Sequence, residues 1–415
     1  MGRRRLATSP SASSPERGPE RGKGRGKARV RREHQRTIFE RLDELARRAS
    51  ASDPVPAAMR VFVCVLGLLG IGFLVQLSHA STTVQPRHFG AELRGMLQFR
   101  ILGLAVLVAA YHIGPDRLRR FLPVLTVLSI ALLVAVYLPG INAEANGSRR
   151  WIRLPFLGLT LQPSEVARVV MILWVADRCV QLGPRVQEMG RYVPMLLFGL
   201  ALFGAILGQP DLGGAMLFLL CFVCTMWVGG ARPAHVAGSL GIAGGGALLV
   251  GFSAFAYTRE RIAVWLGDSS NDQVSRTAEA MASGDLFGVG LTHGGWRNSG
   301  LQYLQNDYAF SLVGEELGLL GVAVVIGLLL TFAWNGLKLV LSVPDRFGAL
   351  VAFGLLISVA LQAMLHIQVV TGLAPPKGIN LPFISDGGTS LVASCLAVGL
   401  ALGSVRRPAE GVQGP

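Results

Sequence analysis

Long blocks of apolar residues recur along the chain, separated by shorter polar segments. A helix that crosses a bilayer needs about 20 mostly apolar residues, so the pattern predicts an all-α membrane protein with a bundle of ten transmembrane helices. A polar stretch at 258–306 predicts a long extracytoplasmic loop between helices seven and eight. The predicted spans are 59–79, 97–114, 119–139, 159–180, 192–208, 211–229, 235–257, 307–334, 346–369 and 385–404.

Composition supports a membrane fold rather than an aqueous one. Hydrophobic residues make up 51% of the chain and charged residues only 15%, whereas a soluble domain carries about 25% charged residues. The five cysteines lie in or beside apolar blocks. That placement favours small core residues over a metal or redox site.

The formal charge of +14 comes largely from the amino-terminal segment. Residues 1–57 are basic, poor in apolar residues and contain many Ser, Pro and Gly residues, which predicts a disordered cytoplasmic tail. Such a tail is expected to lie near anionic membrane lipids, and binding to nucleic acid is disfavoured.

The Lys and Arg residues between the apolar blocks predict the orientation in a bacterial inner membrane. With the tail inside, a membrane domain at 58–405 returns the short tail 406–415 to the cytoplasm. Some basic residues nevertheless fall in predicted outer loops, among them Arg150 and Lys377. An anionic ligand on the outer face would explain them.

Four polar clusters interrupt the apolar pattern, and ionisable groups at membrane depth are costly unless they are paired or hydrated. The first contains Arg150 and the segment Gln162-Pro-Ser-Glu165, which is typical of a helix start. Glu165 and Arg168 are three residues apart and can pair on one helix face. They form either a structural pair or, with Arg150, the polar wall of a cavity that binds a phosphate.

The second and third clusters each place an acid where a helix is predicted to begin. Asp211 follows Pro210, and this pair predicts a helix cap. Asp307 lies at the outer mouth of span eight, where it either caps the helix or takes part in chemistry. Glu315 and Glu316 lie two turns deeper, and structural hydrogen bonding is the favoured interpretation of both.

The fourth cluster crowds Pro, Gly and hydroxyl residues into 371–390. It includes Lys377, Ser385, Thr389 and Ser390. Irregular backbone at membrane depth is tolerated only where it lines a cavity or packs on protein. We therefore expect a re-entrant or broken segment here.

Together, the clusters resemble the SEDS family (shape, elongation, division and sporulation), which includes the FtsW, RodA and SpoVE types. The likeness covers about 60–405 and is nearer to FtsW and SpoVE, because of Pro376-Lys377-Gly378. The matching segments are Asn146–Ile152, Gln162–Glu165, Pro210–Gly213, Asp307–Gly318 and Leu381–Ser390.

The resemblance implies a peptidoglycan glycosyltransferase. Such an enzyme joins lipid II units into glycan strands on the outer leaflet, with inversion at the donor sugar and release of undecaprenyl diphosphate. The reaction needs a base for the acceptor hydroxyl, positive charge for the diphosphate and a groove for the lipid. A divalent cation, Mg²⁺ or Mn²⁺, is expected at the diphosphate.

The resemblance also implies roles for individual residues. Asp307 is expected to be the catalytic base. The residues expected to bind substrate are Arg150, Glu165, Arg168, Lys377, Ser385, Thr389 and Ser390. The implied partners are the growing glycan strand, a class B penicillin-binding protein that crosslinks it, and other proteins of the division or elongation machinery.

Several positions depart from the family pattern. Arg168 stands for the usual Lys, Asp386 for Tyr and His366 for a common Asn, and the residues just before Asp307 also differ. Two other functions stay open from the sequence. One is a flippase or transporter for a lipid-linked precursor, and the other is a catalytically inactive division scaffold.

Overall fold

The computed structural model describes residues 55–138, 142–145, 148–154, 159–254, 273–296 and 304–406, with positions 259, 263 and 265. The predicted tails at 1–57 and 406–415 lie almost wholly outside these residues. The helices are α1 Val55–Thr83, α2 Pro86–Arg120, α3 Leu122–Ala135, α4 Pro163–Leu182, α5 Met189–Leu207, α6 Leu212–Val228, α7 Pro233–Ala254, α8 Gln273–Ser283, α9 Ala309–Ser342, α10 Arg346–Val370 and α11 Gly388–Gly403.

Each predicted span of this multi-pass membrane protein overlaps a helix, and the span 119–139 overlaps the end of α2 as well as α3. Among the described residues, α1, α2, α5, α9 and α10 are long and apolar enough to cross a bilayer. The interval 80–96 between the first two predicted spans was expected to be an outer loop, and that expectation is wrong, because α1 and α2 extend through it and leave only 84–85 between them. Pro86 does not interrupt α2, since it occupies the first turn, where its missing N–H has no helical partner.

The interval 140–158 between the third and fourth predicted spans was expected to be an outer loop without regular structure, but it contains β-strands, so the prediction of an all-α fold is corrected here. Strands β1 Asn142–Ala145, β2 Ser148–Leu154 and β3 Leu159–Leu161 form an antiparallel sheet in that order. Ile152 in β2 pairs with Leu161 in β3, directly before α4 begins. The sheet therefore fixes Arg150 beside the start of α4.

Small residues bring helices α2 and α11 into close contact. A Cβ at Gly399 would stand 2.3 Å from the carbonyl oxygen of Leu107, and one at Gly403 would stand 2.9 Å from that of Tyr111. Glycine is required where backbones approach this closely, as is common between membrane helices.

Helix α9 is broken at Gly318, where φ is 66° and ψ is −165°. Backbone groups freed at membrane depth need other partners, and the turn 285–290 supplies them. The bonds run from Leu319 N to Asp285 O (2.9 Å), Leu320 N to Leu286 O (3.2 Å), Val289 N to Glu315 O (3.0 Å) and Gly290 N to Glu316 O (3.1 Å).

The side chains of Glu315 and Glu316 are buried and hydrogen-bonded, as expected from the sequence. Glu315 accepts from the backbone N–H of Trp296 at 3.0 Å, and Glu316 accepts from the hydroxyl of Ser78 at 2.8 Å. The two carboxylates therefore tie Trp296 and helix α1 to the broken helix.

Replacing Gly318 with Ala should destabilise the protein, because this backbone conformation is essentially restricted to glycine and costs other residues about 1–3 kcal/mol. The new Cβ would also stand 2.3 Å from the backbone nitrogen of Gly288. Thermal unfolding in detergent measures the effect. The control is Gly327→Ala, on the same helix with no atom within 4 Å of the new Cβ, which should be neutral or stabilising. Equal melting temperatures for both variants would contradict this account of the break.

Candidate functional site

Arg150 is held by β2 against the segment that precedes α6. Its Nη2 donates to the carbonyl oxygen of Pro210, and its Nη1 lies 3.6 Å from Oδ1 of Asp211. The side chains of Arg150 and Asp211 are only 11% and 2% exposed. A charge pair this well shielded from water has a fixed geometry, so the guanidinium is pre-oriented.

Asp211 caps helix α6, as its sequence position predicted. Its Oδ1 accepts from the backbone N–H of Gly214 at 2.9 Å, and its Oδ2 accepts from Nε2 of Gln162 at 3.2 Å. Gln162 is the N-cap residue of α4. One carboxylate thus joins the starts of α4 and α6 to Arg150.

The segment 376–380 lies directly over the start of α6. A Cβ at Gly213 would stand 2.9 Å from Cγ1 of Ile379 and 3.5 Å from Cβ of Lys377. Only glycine leaves room for this approach. The Pro-Asp-x-Gly motif therefore serves both to cap the helix and to seat the loop.

Asp307 lies in the turn just before α9, whose N-cap is Tyr308. A Cβ at Gly378 would stand 3.3 Å from Oδ2 of Asp307 and 3.7 Å from Nη1 of Arg150. The half-buried carboxylate and the guanidinium thus flank the same glycine. This places together two residues that are 157 positions apart in the sequence and were predicted as catalytic and phosphate-binding groups.

Lys377 is half-buried in the same loop, outside the helices. Burial lowers the pKa of its ammonium group. An anionic ligand would favour the charged form of such a lysine. Lys377 directly precedes Gly378, the residue that Arg150 and Asp307 flank, so the loop carries a basic residue next to that glycine.

The predicted pair of Glu165 and Arg168 is present and buried. Nη2 of Arg168 lies 2.5 Å from Oε2 of Glu165 and donates to Oε1 of Gln362 at 3.0 Å. Nε2 of Gln362 donates in turn to the carbonyl oxygen of Asn380 and the hydroxyl of Ser390, both at 3.0 Å. The pair therefore supports the loop, and its predicted contact with phosphate stays a prediction.

Ser385 and Thr389 also hold the scaffold together. The buried hydroxyl of Ser385 donates to the carbonyl oxygen of Asn306 at 2.7 Å and accepts from the backbone N–H of Leu381 at 2.8 Å. The hydroxyl of Thr389 donates to the carbonyl oxygen of Thr160 in β3 at 2.5 Å. The substrate contacts predicted for these residues and Ser390 stay predictions.

Sequence reasoning did not single out Gln76 and Gln362, which also position the site. Nε2 of Gln76 donates to the carbonyl oxygens of Gln305 at 2.8 Å and Ile384 at 3.3 Å. The available signal was an uncharged amide inside an otherwise apolar block. Such a group needs a partner within the protein, but the sequence does not say which one.

The unusual Asp386 also has a structural setting. Arg100, a buried residue of α2, lies near enough to interact electrostatically with it. The backbone N–H of Asp386 donates to the carbonyl oxygen of Gln305 at 3.0 Å. An acid at this position therefore lies within electrostatic range of a buried arginine.

The chain is similar to known proteins over most of its length. The family described as "Cell cycle protein" (FTSW_RODA_SPOVE) matches residues 57–407. A probable peptidoglycan glycosyltransferase FtsW of Alkalilimnicola ehrlichii is 34% identical, over 83% of this chain and 88% of that protein. Stage V sporulation protein E of Bacillus subtilis is 32% identical, over 84% of this chain and 96% of that protein.

Solved structures match as well. A chain of a peptidoglycan synthase complex, described as coordinating polymerization and crosslinking, superposes with a TM-score of 0.67 and 25% identity, over 82% of this chain and 95% of that chain. The rod shape determining protein RodA of Thermus thermophilus gives a TM-score of 0.61 and 25% identity, over 83% and 94%.

Replacing Arg168 with Gln should destabilise the protein by about 3–5 kcal/mol, because it leaves the carboxylate of Glu165 buried without a counter-charge. Arg168→Lys should cost less, since it keeps the charge. The double variant Glu165→Gln/Arg168→Gln should recover part of the loss. Thermal unfolding in detergent measures all three.

The matched control is Arg178→Gln, which alters an exposed contact with Gln181 in the same helix. It also removes a cation–π contact with Trp174 and should change stability by about 1 kcal/mol or less. A double variant no more stable than Arg168→Gln would show that the buried pair is not the source of the effect.

Proposed function

The chain belongs to the FtsW/RodA/SpoVE (SEDS) family of cell cycle proteins, and we propose that it is a peptidoglycan glycosyltransferase that polymerises lipid II on the outer leaflet. The names of its FtsW relatives and its likeness to a chain of a peptidoglycan synthase complex support this activity. The observation that carries it in this chain is the carboxylate of Asp307 facing Arg150 across Gly378.

In the proposed reaction, Asp307 takes the proton from the attacking hydroxyl of the acceptor sugar. The oxygen then forms a bond to the anomeric carbon of the donor, and the bond from that carbon to the lipid diphosphate breaks. A single displacement of this kind inverts the donor configuration without a covalent sugar–enzyme intermediate. Asp307 needs to be ionised beforehand in order to accept this proton.

Arg150 and Lys377 are the groups that would stabilise the departing diphosphate. Arg150 lies beside Gly378 in space, and Lys377 directly precedes Gly378 in the chain. Arg150 is also held in place by Pro210 and Asp211. Fixed positive charge in a shielded site stabilises developing negative charge more strongly than mobile charge in water. Arg168 would act indirectly, because it bonds to Gln362, which in turn holds the loop at Asn380.

A divalent cation fits this site as a companion of the substrate. Among the described residues, no group of three His, Cys, Asp or Glu side chains could hold a metal ion. Mg²⁺ commonly takes one or two protein carboxylates and completes its coordination with phosphate oxygens and water. Here the ion would be held chiefly by oxygens of the diphosphate and by water, and it would neutralise charge on the diphosphate while Asp307 acts as the base.

The proposed topology has ten membrane crossings with both termini in the cytoplasm of a bacterial inner membrane. The basic residues between the predicted spans support this orientation. It places the segments around Arg150, Asp307 and Lys377 on the outer side, where the lipid-linked substrate would be used. A class B penicillin-binding protein is the proposed partner, supported by the likeness to a chain of a synthase complex.

Asp307→Asn should abolish polymerisation of purified lipid II, with a rate loss of at least about 100-fold, because an amide cannot accept the proton. The polymerisation rate is measured in detergent, from glycan products separated by gel electrophoresis. A flippase would make no polymer in detergent, so polymer formation by the wild-type protein also distinguishes an enzyme from a flippase. The control is Asp285→Asn, the same chemical change at an exposed residue whose positive φ Asn tolerates. Full activity of Asp307→Asn would overturn the assignment of the base.

Removing divalent cations should stop polymerisation, since the charge on the diphosphate would no longer be neutralised. EDTA treatment followed by addition of Mg²⁺ or Mn²⁺ tests this, and EDTA already saturated with Mg²⁺ is the control. Lipid II binding should weaken in parallel. Undiminished activity after exhaustive chelation would exclude the cation.

A further inference from the structure

His366 of α10 is fully buried, yet both nitrogens of its ring have partners. Nδ1 lies 2.7 Å from the carbonyl oxygen of Ile379, and Nε2 lies 3.4 Å from the backbone nitrogen of Phe310. The two partners belong to segments about 70 residues apart in the sequence. The imidazole is therefore a bridge between those segments.

The partners determine which nitrogen carries the proton. A carbonyl oxygen can only accept, so Nδ1 carries the hydrogen and donates to Ile379. A backbone N–H can only donate, so Nε2 is unprotonated and accepts from Phe310. The neutral ring in this tautomer satisfies both contacts at once.

The contact with Phe310 lies at a helix start that has no side-chain cap of its own. Phe310 is the second residue of α9, and the first N–H groups of a helix have no acceptor within it. The side chain of the N-cap residue, Tyr308, makes no capping hydrogen bond to the helix. His366 supplies that acceptor from the neighbouring helix α10. The N–H group that it accepts from belongs to Phe310, three residues after Asp307.

The contact with Ile379 acts on the other side of the site. Ile379 directly follows Gly378, where an added Cβ would meet the carboxylate of Asp307 and the guanidinium of Arg150. Gln362 lies one turn before His366 and holds the adjacent carbonyl of Asn380 at 3.0 Å. Loss of the imidazole would therefore loosen the loop without releasing it entirely.

We propose that His366 is a positioning residue that sets the distance between Asp307 and the Lys377–Gly378 segment. This inference rests on the proposed function, since the two sides that His366 joins carry the base and the diphosphate-binding groups. The ring does not touch the reacting atoms. It fixes the position of the turn before α9 relative to the loop after α10, so that the base and the leaving group face each other.

The test compares His366→Phe, His366→Asn and His366→Gln in the full-length chain purified in detergent. Phe keeps the ring shape and loses both contacts. Asn can reach Ile379, and Gln can reach Phe310, so each can keep one. Steady-state polymerisation of lipid II gives kcat and KM, and amide hydrogen exchange reports the segments 308–312 and 376–381 separately from activity.

We expect kcat of His366→Phe to fall about 10- to 100-fold, the effect of a small misplacement of reacting groups, with KM changed less than about threefold. Asn and Gln should lie between Phe and wild type. Amide hydrogen exchange should become faster in both segments of His366→Phe. It should become faster only in 308–312 of His366→Asn and only in 376–381 of His366→Gln. The control is Tyr192→Phe, which removes the buried hydrogen bond to Ser239 (2.6 Å) outside the site and should leave kcat unchanged.

Two results would overturn the inference. One is unchanged exchange in both segments of His366→Phe, whether or not polymer is made. The other is a loss of kcat matched by Tyr192→Phe, which would indicate a general effect on packing. A wild-type protein that makes no polymer, with exchange altered as expected, would refute the proposed function and leave the bridge in place as a structural feature.

Discussion

The site depends on one constraint, which is that non-helical backbone packed among apolar helices must find its hydrogen-bond partners within the protein. The segment 371–387 is irregular, and buried side chains satisfy it from three directions. Gln362 and His366 hold it from α10, and Gln76 holds it from α1. Ser385 closes it on itself and onto the turn before α9. Because these contacts fix the loop, Gly378 comes to lie against Asp307.

The polar residues of the site form two groups with different roles. Glu165, Arg168 and Gln362 are buried and bonded to one another, so they hold backbone in place. The second group surrounds Gly378, which Arg150 and Asp307 flank and which Lys377 precedes in the chain. This is the side from which a lipid-linked substrate would approach in the proposed topology. The first group makes the geometry of the second group reproducible, which proton transfer and charge stabilisation both require.

Local sequence spacing predicted the parts of this structure that depend on neighbouring residues. The apolar blocks, the pairing of Glu165 with Arg168 and the cap at Asp211 were all evident, since each depends on residues a few positions apart. The strands at 142–161 were missed because short, irregular pairing leaves a weak pattern. The tie from His366 to Phe310 joins residues 56 positions apart, and no local pattern specifies it. The meeting of Asp307 with Arg150 was suggested only by resemblance to a family, because nothing in their spacing requires it.

Binding and chemistry can be separated by measuring the affinity of Asp307→Asn for lipid II in detergent, beside its polymerisation rate. If Asp307 acts as the base at a site that other residues assemble, the variant should bind lipid II with a Kd within about threefold of the wild-type value while turnover is lost. A loss of affinity as large as the loss of rate would contradict the account. Asp307 would then hold the substrate, and the base would be another group.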